Sequence, residues 1–350
     1  MSGARETFGA MADGTPVERL RLRGAKGFEV SVITYGAAIQ SILAPDAKGD
    51  LADVVLGFDD LDGYVHGRGH LGGTIGRFAN RIAGGRFSID GRDFTIPHNN
   101  GPNTLHGGAK GFDHRLFKVE EADERRAVLS RISTDGEEGF PGELRLTVSY
   151  EVEGTALTIE MTATSDAPTI VNLTNHAYFN LSGAGTALDH ELSVAAQAIL
   201  PVAPDGIPTG EPMDVAETPF DFREARPIAA RLREGHPQIM AMRGYDHNYC
   251  LDGGRTTEPR DVARLFDPAS GRAMTLQTTE PGLQVYSGNS LDGAALGRGG
   301  HAIRQGDGLC LEAQNFPDAP NRPDFPNAIL RPGETYRHVI RLIFSTGRPQ

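Results

Sequence analysis

Residues 170–182 read Ile-Val-Asn-Leu-Thr-Asn-His-Ala-Tyr-Phe-Asn-Leu-Ser and repeat polar side chains at alternate positions. Strand alternation places four of these polar side chains on one face, namely Asn172, Thr174, His176 and Tyr178. A water-facing strand seldom needs an amide, a hydroxyl, an imidazole and a phenol in one row. The pattern therefore predicts a site for a ligand with many hydroxyl groups, with a histidine among its hydrogen-bonding residues.

A second candidate group lies in the run Gly308-Leu-Cys-Leu-Glu-Ala-Gln-Asn315, where Glu312 shares a strand face with Cys310 and Gln314. An acid inside an otherwise apolar strand is expected to be semi-buried. Loss of water raises the pKa of such a carboxyl group toward the working range of a general base. The strand alone leaves an equal alternative, a salt-bridged glutamate at the edge of a sheet.

Polar residues also cluster in three turn-rich segments. Residues 76–85 hold two arginines and an asparagine between glycines, and guanidinium and amide groups at a turn can clamp hydroxyls with fixed geometry. His106 lies in a glycine-rich loop, and Asp246 lies beside aromatic residues, where it can accept hydrogen bonds from vicinal hydroxyls. Each has an ordinary alternative: an arginine that ties a loop, an exposed or structural histidine, and an aspartate that caps a turn.

Composition limits the function classes. The 350 residues carry a formal net charge of −12, which argues against nucleic-acid and anionic-membrane partners. Cys250 and Cys310 are the two cysteines and form no CxxC pair, so we expect buried free thiols in a reducing compartment. The first residues lack a signal-peptide pattern and no long apolar run occurs, so we expect a cytoplasmic protein.

Common cofactor and metal motifs are lacking. Residues 67–72 fit GxGxxG by letter, but no buried strand precedes them and no helix follows, so dinucleotide binding is discounted. His66 and His70 are four apart, but the intervening glycines disfavour the helix that a zinc pair needs. The sequence has no HExxH and no Cys/His cluster, so we expect no metal site.

Period-two patterns recur along the chain and helical periodicity is scarce. They predict an antiparallel all-β sandwich in a single domain over residues 1–350. Short helices are possible near Ala225–Arg233 and Leu61–Tyr64. The predicted strands are Phe28–Tyr35, Val54–Phe58, a hairpin over Arg86–Ile96 turning at Asp90-Gly91, Val128–Ser133, a hairpin of Leu144–Val152 and Ala156–Ala163, Met274–Thr279, Leu283–Ser287, Leu309–Ala313 and Tyr336–Phe344.

Two proline-rich segments, residues 201–219 and 316–332, are long for loops. In the second, a proline recurs every third residue from Pro317 to Pro326, which suits polyproline II. We expect a stiff loop that walls a site, because it follows a polar strand end directly. The alternative is a docking segment for another protein.

Taken together, these motifs resemble the aldose 1-epimerase (galactose mutarotase) family, nearly end to end. Each motif is modest alone, and their order and spacing are specific. The matching segments are Tyr35-Gly-Ala, Gly76-Arg-Phe-Ala-Asn-Arg-Ile82, Asn103-Thr-Leu-His-Gly-Gly108, Thr174-Asn-His-Ala-Tyr-Phe-Asn-Leu181, Tyr245-Asp-His-Asn248, Leu283-Gln-Val-Tyr286 and Glu312-Ala-Gln-Asn-Phe-Pro317.

The resemblance implies a large antiparallel β-sandwich of the galactose mutarotase-like supersandwich type. It implies interconversion of the α and β anomers of hexoses such as galactose and glucose, with no cofactor and no metal. By position, Glu312 is the implied general base and His176 the implied general acid. The implied sugar-binding residues are Asn80, Arg81, His106, Tyr178, Asp246 and Gln284.

Three other interpretations stay open on the sequence. The first is an epimerase of the same fold acting on hexose 6-phosphates, since Arg77, Arg81 and Arg86 lie close together in the chain. The second is a carbohydrate-binding protein without turnover. The third is a scaffold protein that uses the proline-rich segment. The expected partner is a small aldose, and the expected assembly is a monomer or a homodimer.

Overall fold

The computed structural model describes residues 5–348. Within them the chain forms thirty strands, two short α-helices and seven 3-10 helices. The strands of the first half are β1 (Arg5–Ala10), β2 (Pro16–Arg23), β3 (Glu29–Ile33), β4 (Ala38–Pro45), β5 (Leu51–Asp53), β6 (Thr74–Ile75), β7 (Arg81–Ile82), β8 (Arg86–Ile89), β9 (Arg92–Thr95), β10 (Thr104–Leu105), β11 (Lys118–Ala122), β12 (Arg126–Ser133), β13 (Leu144–Glu153), β14 (Ala156–Ser165) and β15 (Thr169–Ile170). Those of the second half are β16 (Thr174–Asn175), β17 (Tyr178–Phe179), β18 (Glu191–Val194), β19 (Ala196–Ile199), β20 (Met213–Asp214), β21 (Arg226–Pro227), β22 (Asp246–Leu251), β23 (Arg260–Phe266), β24 (Arg272–Thr278), β25 (Gly282–Tyr286), β26 (Asp292–Leu296), β27 (Ala302–Arg304), β28 (Leu309–Gln314), β29 (Ile329–Leu330) and β30 (Tyr336–Thr346). The α-helices are α1 (Leu61–His66) and α2 (Pro237–Met242).

Three antiparallel sheets make up most of the structure. One has nine strands in the order β11-β12-β13-β14-β30-β24-β23-β18-β21. Another has six in the order β17-β28-β25-β22-β19-β20, and the third has the five strands β1 to β5. The all-β sandwich expected from the sequence is confirmed.

One hydrophobic core joins the three sheets. It combines Val30 of the five-stranded sheet, Val148 and Leu342 of the nine-stranded sheet, and Leu283 and Leu311 of the six-stranded sheet. Strand alternation produces this core, since β13 buries every second residue from Leu144 to Val152. Each such aliphatic side chain contributes roughly 1.5–3 kcal/mol on burial.

Both predicted hairpins form. In the first, β8 pairs with β9 so that Ile89 opposes Arg92. The two turn residues, Asp90 and Gly91, have φ of 52° and 78°, as a two-residue type I′ turn requires. The second hairpin pairs β13 with β14 over their full length.

Several local predictions are wrong. Ala225–Arg233 is not an α-helix: Arg226 and Pro227 form β21 and a 3-10 turn follows. Proline lacks an N–H and opposes a continuous helix there. Val54–Phe58 is not a regular strand either, because strand β5 ends at Asp53 and only Val55 makes a bridge beyond it. Helix α2 was not predicted.

The polar segment 170–182 is extended but is not one strand. It splits into the two-residue strands β15, β16 and β17, which pair with β29, β6 and β28 respectively. Simple alternation therefore fails along it. Asn172 is fully buried and donates to the Ala79 carbonyl, whereas His176 and Tyr178 line a pocket. No helix among residues 5–348 has the length and apolarity needed to cross a bilayer.

Candidate active site

One face of the six-stranded sheet carries polar side chains in register. Backbone pairing aligns one row across the sheet, consisting of Asp246, Tyr286, Cys310 and Tyr178. Two residues along each strand, the next row on the same face consists of Asn248, Gln284 and Glu312. The residues between the rows, including Val285 and Leu311, point the other way into the hydrophobic core. Side-chain alternation therefore directs one face of the sheet into the hydrophobic core and the other, polar face toward the site.

His176 faces Glu312 across this sheet surface. Its Nε2 lies 3.7 Å from Oε1 of Glu312. The main chain of His176 is held on both sides, since its N–H donates to the Gly73 carbonyl and its carbonyl accepts from the Gly72 N–H. The two groups lie 136 positions apart in the sequence numbering and meet only through the pairing of β16 with β6 and of β17 with β28.

Burial controls the charge of this pair. Desolvation, reinforced by Asp246, raises the pKa of Glu312 well above its usual range. Burial, followed by the charge of His70, lowers the pKa of His176 to about 3. Both shifts favour the neutral forms of the two side chains. Oε2 of Glu312 is buried and has no hydrogen-bond partner.

Cys310 lies behind the His176 ring. Its Sγ is 3.5 Å from Nδ1 of His176, and burial raises the pKa of this thiol well above the usual value. The sulfur therefore stays protonated and offers only a weak hydrogen bond. Nδ1 is thereby turned toward the sheet, which leaves Nε2 of His176 on the pocket side with Glu312.

His106 has a fixed tautomer. Its Nδ1 accepts a hydrogen bond of 3.1 Å from the backbone N–H of Asn80 and is therefore unprotonated. Burial and the neighbouring charges of His70 and His176 lower its pKa well below the usual value. The neutral ring must then carry its proton on Nε2, so His106 is a hydrogen-bond donor toward the pocket.

The loop after His106 needs glycine. Gly107 has φ of +82°, and a Cβ there would lie 2.0 Å from the Gly76 carbonyl oxygen. This close approach sets the His106 loop against the segment that carries Asn80. Strands β7 and β10 pair beside it, so Arg81 opposes Leu105.

Arg81 and Asp246 form the polar end of the pocket. The Arg81 Nη2 lies 3.7 Å from Oδ2 of Asp246, and its Nε donates to Asn100. Gln284 donates from Nε2 to Oδ1 of Asp246 at 2.6 Å. Gln284 is 2% exposed and is not a lining residue of the pocket, and its predicted role in sugar binding stays a prediction.

The predicted residues enclose a pocket of about 540 Å³, called here the central pocket. This volume falls within the ~300–1,000 Å³ of small-molecule sites. Its lining includes Asn80, Arg81, His106, His176, Tyr178, Asp246 and Glu312, together with His70, Arg243 and Tyr286. Seven of the eight residues predicted for the site thus line one cavity, and the eighth, Gln284, donates to Asp246. A larger cleft of about 640 Å³ near Arg298 has no comparable acid and base pair among its lining residues.

Two arginines near Arg81 lie outside the central pocket. The Arg77 guanidinium is buried and donates to carbonyls of Ser133, Pro141 and Gly142. Arg77 therefore corresponds to the alternative expected for residues 76–85, an arginine that ties a loop. Arg86 is exposed at the start of β8.

The two proline-rich segments differ in their position relative to the central pocket. Pro204, in the first segment, lines the central pocket. The second segment does not line it, so the expectation that residues 316–332 wall the site is wrong. This segment instead supports the site from outside, since the Asp318 N–H donates to the Arg81 carbonyl and its Oδ1 accepts from the Ala83 N–H.

Comparison with known proteins identifies the family. The family model for aldose 1-epimerase matches residues 18–342. The chain is 42% identical over 348 residues to galactose mutarotase of Bos taurus, covering 99% of each chain. It is 37% identical to aldose 1-epimerase of Escherichia coli (strain K12), covering 97% of this chain and 98% of that one.

The chain belongs to the aldose 1-epimerase family. Solved structures agree with this assignment. A GalM/aldose epimerase homologue from C. elegans superposes with a TM-score of 0.87 at 30% identity and covers 94% of this chain and 99% of that chain. Galactose 1-epimerase from Lactobacillus acidophilus NCFM gives a TM-score of 0.85 at 29% identity and covers 98% of both. The chain is therefore an isomerase of the aldose 1-epimerase type.

The sequence analysis does not predict His70 as a residue of the site. The sequence pattern indicates His70 only as one half of a zinc pair with His66, which the intervening glycines disfavour. The structure brings its ring within 5.6 Å of the His176 ring, centroid to centroid. A glycine-rich loop that holds a histidine was the available signal, as it was for His106.

Two clusters in the described residues have potential ligand atoms within 4.8 Å of one another. In the first, Asp113 accepts a hydrogen bond from His70 at 2.6 Å and lies 3.3 Å from His114. The second combines His106, His176 and Glu312 in the central pocket. A hydrogen bond accounts for the contact between His70 and Asp113 in the first cluster. The expectation that this family member needs no metal stays a prediction.

Proposed function

We propose that the protein interconverts the α and β anomers of hexoses such as galactose and glucose, with Glu312 as general base and His176 as general acid. The facing of these two side chains across a pocket carries the proposal. Their 3.7 Å separation and the unpartnered Oε2 of Glu312 leave positions that an anomeric hydroxyl and a ring oxygen can occupy.

The reaction needs one mobile proton, which burial favours on Glu312 and which must lie on His176 before the ring opens. Glu312 takes the proton of the C1 hydroxyl, the bond between C1 and the ring oxygen breaks, and His176 protonates that oxygen. The aldehyde then rotates about the C1–C2 bond, and the two groups reverse their roles as the ring closes on the other face. The proton lies on Glu312 in one arrangement and on His176 in the other, so the net charge of the buried pair never changes.

The surrounding residues bind and orient the sugar. We propose that the Nε2–H of His106 and the Arg81 guanidinium donate to sugar oxygens, where they stabilise partial negative charge. Asp246 anchors a distal hydroxyl pair, because Gln284 occupies one of its oxygens and leaves the other toward Arg81 and the pocket. Asn80 and Tyr178 complete the binding surface.

Polarimetry tests this function. Freshly dissolved α-D-galactose should relax to its equilibrium rotation faster with the enzyme than without it, in a weakly catalytic buffer. A panel of glucose, galactose, xylose and arabinose then gives the preferred aldose. Tight sugar binding with no acceleration would instead support a carbohydrate-binding protein.

One observation favours a second candidate, an epimerase for hexose 6-phosphates. Arg243 lines the central pocket, and its guanidinium makes no ion pair within residues 5–348. A free guanidinium suits a phosphate. Competition between galactose 6-phosphate and galactose discriminates the two, and Arg243→Gln should abolish any preference for the phosphorylated sugar.

We also propose that residues 1–350 form one domain, located in the cytoplasm as a monomer or homodimer. A single core shared by the three sheets supports one domain. The free thiols of Cys250 and Cys310 are compatible with a reducing compartment.

A further inference from the structure

His70 separates two cavities. Its imidazole lines the central pocket, with ring centroids 4.9 Å from His106 and 5.6 Å from His176. On its other side it lines a cavity of about 20 Å³ together with Asp113 and His114. Nδ1 of His70 bonds to Asp113, and Nε2 has no hydrogen-bond partner within residues 5–348. Nε2 is therefore available to a molecule in the central pocket.

Asp113 orients this ring. Its Oδ2 lies 2.6 Å from Nδ1 of His70, and its side chain is 4% exposed. Burial disfavours the charged carboxylate, but the contact with His70 outweighs burial and lowers the pKa of Asp113. An ionised acceptor on Nδ1 fixes a proton there, and it favours the doubly protonated ring.

The loop that carries His70 has an unusual backbone conformation. His70 has φ of +58°, a left-handed conformation that costs a residue other than glycine about 1–3 kcal/mol. Its carbonyl accepts from the Gly73 N–H, and the next peptide groups bond to the main chain of His176. The loop therefore fixes His70 and His176 relative to each other, and strain of this kind concentrates at functional sites.

The charge of His70 acts on the acid and base pair. Burial disfavours the imidazolium of His70, but Asp113 outweighs it and raises the pKa of His70. The titratable groups that face His70 are Asp113, His106, His114 and His176. Those that face His176 are His70, His106, Tyr178, Tyr286, Cys310 and Glu312. When His70 is doubly protonated, its positive charge makes the imidazolium of His176 a stronger acid toward the ring oxygen.

We propose that His70 is a further substrate-contacting residue, whose Nε2–H donates to the sugar oxygen on the His176 side of the central pocket, and that Asp113 is its positioning residue. This inference rests on the proposed function. It adds a charged donor beside the oxygen that receives the proton during ring opening. Removal of one such preorganised donor typically costs about 10²–10³-fold in kcat.

The experiment compares four variants by polarimetry with fresh α-D-galactose over a range of pH. His70→Ala removes both donor and charge, and His70→Gln keeps an N–H donor without the charge. Asp113→Asn keeps the size of the positioning residue and removes its charge. His114→Gln is the matched control, because His114 contacts Asp113 but does not line the central pocket.

We expect His70→Ala to lose on the order of 10²-fold in kcat and Asp113→Asn on the order of tenfold. His70→Gln should lie between His70→Ala and the wild type. In both His70 variants, loss of a positive charge should move the acid limb of kcat/KM to higher pH, which a purely structural defect would not do. Asp113→Asn should give a smaller shift in the same direction, because the negative charge of Asp113 is lost together with the positive charge that it favours on His70. His114→Gln should retain the wild-type profile.

Wild-type rates and an unshifted pH profile in both His70 variants would overturn this inference while leaving the proposed function intact. A wild-type protein that does not accelerate mutarotation would instead overturn the proposed function itself. If His70→Ala fails to fold, His70→Gln and Asp113→Asn, which preserve volume, decide the question on the same pH profile.

Discussion

Replacement of Glu312 by glutamine is the sharpest test of the acid and base assignment. The change is nearly isosteric and removes the ability to accept a proton. Oε2 of Glu312 has no hydrogen-bond partner, so an amide nitrogen in its place breaks no existing bond. General-base catalysis contributes about 10²–10⁴-fold. We therefore expect kcat to fall by that factor, equivalent to ~3–5 kcal/mol in the activation free energy.

The same substitution has a stability signature of defined sign. The pKa of Glu312 is raised in the folded protein from an ordinary value of 4.5. The folded state thus holds a proton that the unfolded state has lost, and the free energy of unfolding falls as pH rises through this window. The slope is at most ~1.4 kcal/mol per pH unit. Glu312→Gln lacks this titrating carboxyl group, so the stability of the variant relative to the wild type should increase as pH rises.

The assay pairs polarimetry of α-D-galactose with urea unfolding at several pH values. Glu280→Gln is the matched control, because Glu280 is a buried carboxyl group outside the central pocket that bonds to Arg255 and Tyr336. It should lose ~1–3 kcal/mol of stability and keep its kcat. A near-wild-type kcat in Glu312→Gln, with sugar affinity unchanged, would refute the base assignment.

Four further predictions follow from the site. His176→Asn keeps an amide near Cys310 but removes Nε2. Polarimetry should therefore give a kcat lower by roughly 10²-fold or more, and a normal rate would exclude His176 as the acid. Asp246→Asn should mainly raise KM in initial-rate measurements, whereas an equal fall in kcat would mean that Asp246 also stabilises the transition state. Burial lowers the pKa of His247 to about 3, so the unfolded chain binds a proton that the folded chain excludes, and stability falls as pH drops from 6.5 toward 3. His247→Gln should flatten that slope by up to ~1.4 kcal/mol per pH unit in urea titrations, and an unchanged slope would contradict this account. Exhaustive treatment with EDTA should leave kcat unchanged, and activity restored by added zinc would reveal a metal requirement.

The sequence predicted most of the sheet because alternation is a local signal. Strands β13, β14 and β30 bury alternate residues over most of their length, and their predicted positions hold. The predicted position of β28 also holds, although all six of its residues are buried. Residues 170–182 were harder, since their short strands pair with three separate partners. Their side-chain directions depend on those long-range pairings rather than on a period of two.

The site was predicted through motifs, and its misses have physical causes. Gln284 shares a polar face with Glu312, and its hydrogen bond to Asp246 is a tertiary contact that its own strand does not reveal. Residue type alone did not separate Arg77 from Arg81, because burial assigns one guanidinium to carbonyl groups and the other to the pocket. His70 owes its place to a left-handed backbone and to Asp113, and both are tertiary features.

Some buried polar atoms at or near the central pocket have no hydrogen-bond partner, as have others elsewhere in residues 5–348. In the described residues, the buried atoms without a partner include Oε2 of Glu312, Oε1 of Gln284 and Oδ1 of Asp113. Each costs about 1–3 kcal/mol in a folded protein, and evolution rarely retains such a cost without a use. A sugar hydroxyl that donates to Glu312 removes part of this cost, and it favours the ionised carboxylate that the reaction needs. In the proposed mechanism, the hydrogen bond that binds the sugar hydroxyl is therefore the same one that activates the base.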